Sequence, residues 1–549
     1  MKDRLPEKPR FQRLLHDSLI RTAHEHGEKS ALITETGAVS YSKLFEQARR
    51  CASALVGRGL GRGDRVVIYC DNALECVVGI WAALWAGGVF VVVNPQTKAE
   101  KLRYIIDKSG AKILITDEHL RRQVLGMQNA ECSTQNERGR ETCDTSGASA
   151  TGLSHVLCAN AGDKQGWSEA RFEIEDYWEV VGKSPPMDKP VFTIPLDVAA
   201  LIFTSGSTGT PKGVTMTHQS MVFARDSITE YLRLSEKDKL LNVLPLAFDY
   251  GLYQVLIAAG LGATLVLERS FAYPGRVFER IRRHEVTVFP GVPTIFSTML
   301  SMHRKTPLCF PSVRRVTNTA AALPPGYIPA LRQMFPNALV FAMYGLTECK
   351  RVSYLEPELL ESKRGSVGKA IPGTEMFLLS ADGKRVGPGV PGILHVRGPH
   401  VMLGYWKDPE RTAKMLRAGE LPGERVLCAQ DWFVMDGEGF FYFKGRSDDI
   451  IKSRGEKVSP TEVENVLYSL PGVREAAVIG VPDENRGQAI KAFVVLDKGV
   501  KMSEREVLRH CAARLENFMV PHQVEFRNEL PKTDNGKIRK EGLKGKDEG

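Results

Sequence analysis

The sequence predicts an α/β protein: a large N-terminal part built on parallel sheets, a small β-rich subdomain, and a small α+β C-terminal part. Three observations carry that expectation. Apolar runs of strand length alternate with helical stretches as far as about Phe341, the pattern of βαβ units. From Gly373 to Phe443 short strands sit between Gly and Pro turns. After Asp448 a compact mixture of helix and strand begins. At 549 residues the chain is too long for one simple core, so at least two domains are expected.

Each element has a local reason. Arg65 to Tyr69 is a short apolar run after the glycine-rich turn Gly57 to Asp64. The apolar stretch Val77 to Ala86 reads as a buried helix, too short to span a bilayer. Gly87-Gly88 ends it, and Val89 to Val93 is the next strand before Asn94-Pro95. A second round follows, with a helix from about Lys98 to Lys108 and a strand at Ile113 to Thr116. The glycine run does not fit GxGxxG, so a dinucleotide fingerprint is not supported. From about Met127 to Lys189 the periodicity fades, and a variable surface excursion is expected. Order resumes with the fully apolar strand Val198 to Phe203. Late in the chain a helix is expected at Pro460 to Ser469, and strands at Ala476 to Val481 and Ile490 to Leu496. No internal repeat or low-complexity array is present.

Composition excludes several classes. Hydrophobic residues make up 43% and charged residues 25%, ordinary values for a soluble protein. The formal net charge of +9 is modest and not concentrated in one arm. It suits an anionic small molecule or an acidic carrier protein better than nucleic acid. The ten cysteines are scattered, with no Cys-x-x-Cys pair and no zinc spacing, so free thiols in a reducing compartment are expected. Met1 to Arg10 lacks an apolar core and the final Lys-Asp-Glu-Gly matches no address signal. A cytoplasmic enzyme without a membrane span is expected.

The chemistry is carried by the loop after Phe203: Thr204-Ser205-Gly206-Ser207-Thr208-Gly209-Thr210-Pro211-Lys212-Gly213. Its glycines let backbone approach a ligand closely, and consecutive N–H groups with five hydroxyls make an anion-holding concavity. Lys212 adds a mobile cation. Such a loop suits the β- and γ-phosphates of ATP, although it is not a Walker A loop because Gly-Lys-Ser/Thr is absent. A flexible Ser/Gly linker does not fit between an apolar strand and an amphipathic helix burying Met221, Ala224, Ile228 and Tyr231.

With this loop the sequence resembles the adenylate-forming superfamily of acyl-CoA synthetases, luciferases and peptide-synthetase adenylation domains, from about Phe11 to Leu543. The resemblance implies an adenylate-forming domain over 1–447, and a mobile C-terminal domain over 448–549 that carries a catalytic lysine. It also implies roles for later motifs. In Tyr344-Gly345-Leu346-Thr347-Glu348, Tyr344 stacks on adenine, Thr347 contacts the α-phosphate and Glu348 helps hold Mg²⁺. Magnesium prefers hard oxygen ligands and takes one or two carboxylates beside phosphates. Asp431 is similar to the family aspartate that bridges the ribose hydroxyls, although Ala429-Gln430 replaces the usual Thr-Gly. Arg446 reaches ribose or phosphates, and Asp448 aligns with the pivot of the C-terminal domain. Gly455 lies by the pantetheine tunnel, and Lys457 is the basic residue near phosphate. Lys537, in Pro531 to Lys537, is the implied catalytic lysine. A point cation there offsets the repulsion between a carboxylate and the α-phosphate of ATP.

Two half-reactions follow from the resemblance: acyl-adenylate formation with release of pyrophosphate, then attack by a pantetheine thiol of coenzyme A or of a carrier protein. Leu244 to Gly251 is expected to line the acyl pocket, with Phe248 and Asp249 facing the substrate. Asn318, Ala320 and neighbours up to Leu323 add the opposite wall and adenine contacts. Asp249 is a fork. It resembles the aspartate that binds the ammonium of an amino acid, yet a buried carboxylate also finds a protein cation. Lys350 and Arg351, unusual for the family, are candidates for that partner, for a second carboxylate on the substrate, or for a solvated surface. A protein partner ranks first and an amino-acid substrate loaded onto a peptidyl carrier second. A light-emitting monooxygenase and a silent binding module share the scaffold; intact Lys212, Glu348, Asp431 and Lys537 argue against silence. No Gly-Gly-x-Ser carrier site is present. His16-Asp17-Ser18-Leu19 mimics one only faintly and sits in an expected helix, so a stand-alone enzyme is expected.

Overall fold

The computed structural model describes residues 9, 11–129, 152–161, 164–204, 211–446, 449, 451–453, 456–483, 487–515, 517, 519–533 and 536–543. The chain forms two compact units. The first holds Met1–Tyr273, Thr347–Lys350 and Pro399–Lys414; the second holds Pro274–Leu346, Arg351–Gly398 and Met415–Gly549.

An eight-stranded sheet organises the first unit, in the order Gly404–Tyr405, Lys212–Thr217, Val198–Thr204, Val89–Val93, Arg65–Tyr69, Ile113–Asp117, His155–Ala159 and Glu173–Asp176. From Val198–Thr204 to Glu173–Asp176 every pairing is parallel. The inner strands Val89–Val93, Arg65–Tyr69 and Ile113–Asp117 read as largely apolar runs because helices cover both faces of a parallel sheet, while the edge strand Glu173–Asp176 is acidic and part-exposed. Helix Leu74–Trp85 is apolar all round and buried along nearly its whole length, as a helix packed on every side must be. Gly88 follows in a crowded turn, where a Cβ would press on the Asp64 and Ala83 carbonyl oxygens at 3.1 and 3.2 Å. A second group of strands, Lys239–Asn242, Thr264–Leu267 and Ser30–Ile33, is parallel, with Ala38–Ser40 antiparallel at its edge.

The expected surface excursion between Met127 and Lys189 is corrected in part. Among its described residues, His155–Ala159 and Glu173–Asp176 extend the parallel sheet, and helix Tyr177–Lys183 follows. Val156, Leu157 and Cys158 are fully buried. The five-residue run His155-Val156-Leu157-Cys158-Ala159 carried the signal, but polar residues on both sides diluted its periodicity.

The second unit begins with three parallel strands, Val288–Gly291, Arg315–Asn318 and Leu339–Tyr344. The sheet then turns antiparallel through Ser353–Leu355, Ser366–Ala370, Phe441–Arg446, Arg425–Met435, Gly392–Arg397 and Glu375–Leu379. This is the β-rich segment expected from the Gly/Pro turns. Further along the chain, Val473–Asp483 and Gly487–Leu496 form a long antiparallel pair, joined by Ile451–Ser453, Glu456–Val458 and Gln523–Phe526. Helix Pro460–Tyr468 begins at a Ser459 cap with proline in its first turn, and helix Glu504–Ala512 begins at a Ser503 capping box. Their apolar faces bury Val463, Leu467 and Val507 against Val478 and Val494. Among the described residues no helix is long and apolar enough to cross a membrane.

Candidate active site

In the first unit the phosphate-type loop connects a hairpin. Strand Val198–Thr204 pairs antiparallel with Lys212–Thr217, and Thr204 stands opposite Lys212. Sequence reading placed a helix directly after the loop; a strand intervenes, and helix His218–Tyr231 follows from a Thr217–Ser220 capping box. Ser205, Gly206, Ser207, Thr208 and Gly209 lie outside the described residues.

Lys212 reaches Glu348, 136 positions along the chain. Its Nζ is 3.6 Å from Glu348 Oε1 and donates to the Tyr405 hydroxyl at 3.0 Å. The same hydroxyl donates to Glu348 Oε1 at 2.6 Å, a short charge-assisted bond. Glu348 is buried, and its carbonyl accepts from Met402 N at 2.8 Å. Thr347 lies half-buried in the same turn. Tyr405 was missed in the sequence. Only the pairing of Gly404–Tyr405 with Lys212–Thr217 brings it here, and no local motif marks it. A buried carboxylate beside one lysine fits a magnesium ion carried in on a triphosphate, which needs few protein oxygens.

Phe248 caps helix Asp249–Leu261, and Asp249 is its first residue. Gly251 lets this first turn close on the preceding segment: a Cβ there would lie 2.4 Å from the Pro245 carbonyl oxygen. Lys350 Nζ is 3.3 Å from Asp249 Oδ2, with both side chains buried. The same ammonium lies 4.4 Å from the centroid of the Tyr253 ring. Asp249 thus has a protein cation beside it.

In the second unit Tyr344 ends the last parallel strand and Asn318 ends its neighbour. The C-terminal ends of parallel strands are where α/β sheets bind ligands. The Tyr344 hydroxyl donates to Asp431 Oδ2, and its ring packs edge-on against Phe433 at 5.0 Å. Arg446 pairs in register with Asp431 and places Nε 3.4 Å from Oδ1. Burial pushes the Asp431 carboxyl up, and the charges of Arg446 and Lys537 and the Tyr344 hydroxyl pull against it. Lys537 is exposed on a turn held by Thr533 N donating to Lys537 O at 2.7 Å. The turn sits at the start of helix Pro293–His303, since a Cβ on Gly536 would approach Thr294 Oγ1 to 2.9 Å. Tyr344, Asp431 and Arg446 therefore form one cluster, with the charge of Lys537 acting on Asp431.

Asn318 is buried. Its Nδ2 donates to Ala321 O at 3.0 Å, while Oδ1 has no protein partner. Asn318 lines a cavity of about 50 Å³ with Leu323, Ala342, Met343 and Phe443. Ala320, just beyond it, takes a left-handed φ of 76°. Lys457 falls on strand Glu456–Val458. Asp448 and Gly455 lie outside the described residues.

The AMP-binding enzyme profile matches residues 19–406, and the AMP-binding enzyme C-terminal domain profile matches residues 462–537. This chain belongs to the AMP-binding enzyme family. The AMP-binding enzyme is 31% identical to a long-chain-fatty-acid–CoA ligase of Bacillus subtilis, over 98% of this chain and 95% of that one. It is 32% identical to a feruloyl-CoA synthase of Amycolatopsis, over 95% and 96%. Among solved structures it superposes on the anthranilate CoA ligase AuaEII in complex with anthranoyl-AMP with a TM-score of 0.85, at 25% identity over 96% of each chain. The AMP-binding enzyme is an AMP-forming acid–thiol ligase, with the α/β fold expected from its sequence.

Proposed function

We propose that this enzyme condenses a carboxylic acid with ATP to an acyl-adenylate and pyrophosphate, then transfers the acyl group to a pantetheine thiol, that of coenzyme A. The observation that carries this reading is the Lys212–Tyr405–Glu348 cluster. It joins the hairpin loop's cation to a hard-oxygen ligand, the pair of groups a magnesium triphosphate requires. Bound at Glu348, magnesium would supply positive charge against the phosphates. The hairpin loop from Thr204 to Lys212 grips the leaving pyrophosphate. Asp431 accepts from the ribose hydroxyls, Tyr344 and Asn318 border the adenine, and Arg446 balances the phosphate charge. Lys537 lies between the incoming carboxylate and the α-phosphate and lowers their repulsion as the bond forms. Withdrawal of residues 448–549 about Asp448 then admits the thiol, with Gly455 beside the pantetheine and Lys457 near phosphate. The acyl group lies along Leu244 to Gly251. The CoA ligases among the relatives support coenzyme A as acceptor; a carrier-protein pantetheine would present the same thiol.

The test is acid-dependent pyrophosphate release on the full chain with fatty, aromatic, dicarboxylic and amino acids. Lys537→Ala is expected to lower release by about 10²–10³-fold, the loss typical of one transition-state charge partner. Release that is absent with every acid, or undiminished in Lys537→Ala, would overturn the proposal.

A further inference from the structure

Within the second unit, helix Pro293–His303 and the turn Pro325–Tyr327 meet one corner of the strand pair Val473–Asp483 and Gly487–Leu496. That corner is a bulge. Val473 faces Leu496 and Glu475 faces Val495, so Arg474 is an extra residue that the ladder leaves unpaired. Two hydroxyls converge on its carbonyl: Ser297 Oγ donates to Arg474 O at 2.9 Å, and the Tyr327 hydroxyl donates to it at 3.4 Å. Both side chains are buried, and the Tyr327 ring packs edge-on against Tyr468 at 6.0 Å. Beside the bulge, Arg304 at the end of the helix donates to Asp497 Oδ2 at 2.5 Å. At the other end of the same helix, Thr294 meets the Lys537 turn at Gly536. One helix therefore bears on both the bulge and the turn that carries Lys537.

We propose that Ser297, Tyr327 and Arg304 form a clasp that seats residues 448–549 for acid activation and opens before the thiol attacks. This deepens the two-step reading above and rests on it. None of the three belongs to the ATP cluster, so they are positioning residues. The seat matters because Lys537 is an exposed side chain on a short turn, and a displacement of about 1 Å at a reacting centre costs on the order of 10²-fold in rate. The means of release lies in the same contacts. Two hydroxyl bonds and one ion pair, whose arginine is 52% exposed, are polar and individually weak. Contacts of that kind between parts of one chain permit relative motion, whereas a large apolar seam would not.

The experiment uses the full chain, the acid of the panel above that the wild type turns over fastest, and the synthetic acyl-adenylate of that acid. Pyrophosphate release reads the first step; thioester formation from the adenylate and coenzyme A reads the second. The variants are Ser297→Ala with Tyr327→Phe, Arg304→Glu, and Arg304→Glu with Asp497→Lys. The hydroxyl variant and Arg304→Glu are each expected to lower kcat for pyrophosphate release about tenfold, with KM for ATP within about twofold. Thioester formation should stay within about twofold of the wild type or rise, because the clasp is open in that step. The charge swap should return release to within about threefold of the wild type, which loss of packing alone would not do. The clasp is overturned if the hydroxyl variant releases pyrophosphate at the wild-type rate, or if both steps fall by the same factor. A swap that recovers nothing while its melting midpoint matches the wild type's overturns it as well. The hydroxyl variant leaves both charges in place, so its arm decides if the swap does not fold. A wild type that releases pyrophosphate with no acid of the panel overturns the acid-activating reading, and the clasp with it. Normal wild-type release with any of the three failures overturns the clasp alone.

Discussion

Two histidines make the first unit acid-labile. His16 and His218 are buried with their rings edge-on at 5.7 Å, and Trp85 closes the other side of His16 at 5.8 Å. His218 Nδ1 accepts from Leu15 N at 3.2 Å. Burial pushes His16 down to about 4, and burial with the adjacent His16 pushes His218 down to about 3. Both folded values lie below the ordinary 6.5, so the unfolded chain takes up protons first as pH falls. The stability tied to these rings is complete above about pH 6.5 and is lost progressively towards pH 4. Between pH 7.5 and 5 each ring forfeits about 2 kcal/mol at 1.36 kcal/mol per pH unit, so the two together forfeit about 4 kcal/mol. That is a large share of the ~5–15 kcal/mol by which a folded domain is stable. The assay is urea unfolding followed by tryptophan fluorescence at both pH values, with a His16→Phe, His218→Asn double variant beside the wild type. Asparagine keeps an acceptor near Leu15 N, and phenylalanine keeps a ring against Trp85. The wild type should lose about 4 kcal/mol more than the variant across the interval. Equal losses would refute the reasoning.

The legible parts of the fold are those where local pattern and tertiary role agree. Arg65–Tyr69 and Val89–Val93 were readable to the residue, because a strand buried on both faces must be an unbroken apolar run. Helix Pro460–Tyr468 was readable because serine and proline mark its start. The unreadable parts depend on partners far along the chain. Lys212–Thr217 hides as a strand because its pairing, to Val198–Thr204 on one side and Gly404–Tyr405 on the other, is what makes it one. Tyr405 enters the Glu348 cluster by the same pairing. Asp249 was readable as a buried carboxylate in need of a cation, while the choice of Lys350 required the fold. The Ala429-Gln430 departure could be seen but not interpreted. In the structure it falls on a bulge: between the pairs Ile393–Trp432 and His395–Cys428, the single residue Leu394 faces Ala429, Gln430 and Asp431.

Two further predictions concern the two clusters. Tyr405→Phe keeps the ring and removes the hydroxyl that accepts from Lys212 and donates to Glu348. Hydrogen bonds to charged groups contribute about 1.5–3 kcal/mol, so kcat/KM for ATP should fall roughly 10- to 100-fold in the pyrophosphate-release assay; an unchanged value would remove Tyr405 from the site. Gln430→Gly should stabilise the protein. Gln430 holds φ at 57°, in the left-handed region, and its side chain is exposed, so little packing is lost with it. That backbone costs a non-glycine residue roughly 1–2 kcal/mol. Glycine removes the strain but adds unfolded-state freedom worth about 0.4–1 kcal/mol. The difference leaves a gain of about 0.5–1 kcal/mol, readable as a rise in the melting midpoint. Such a bulge turns the next side chain inward, and here that side chain is Asp431, which stays paired with Arg446. Pyrophosphate release should therefore be unaffected. A lower midpoint would mean that Gln430 itself, rather than the backbone it tolerates, holds the bulge in place.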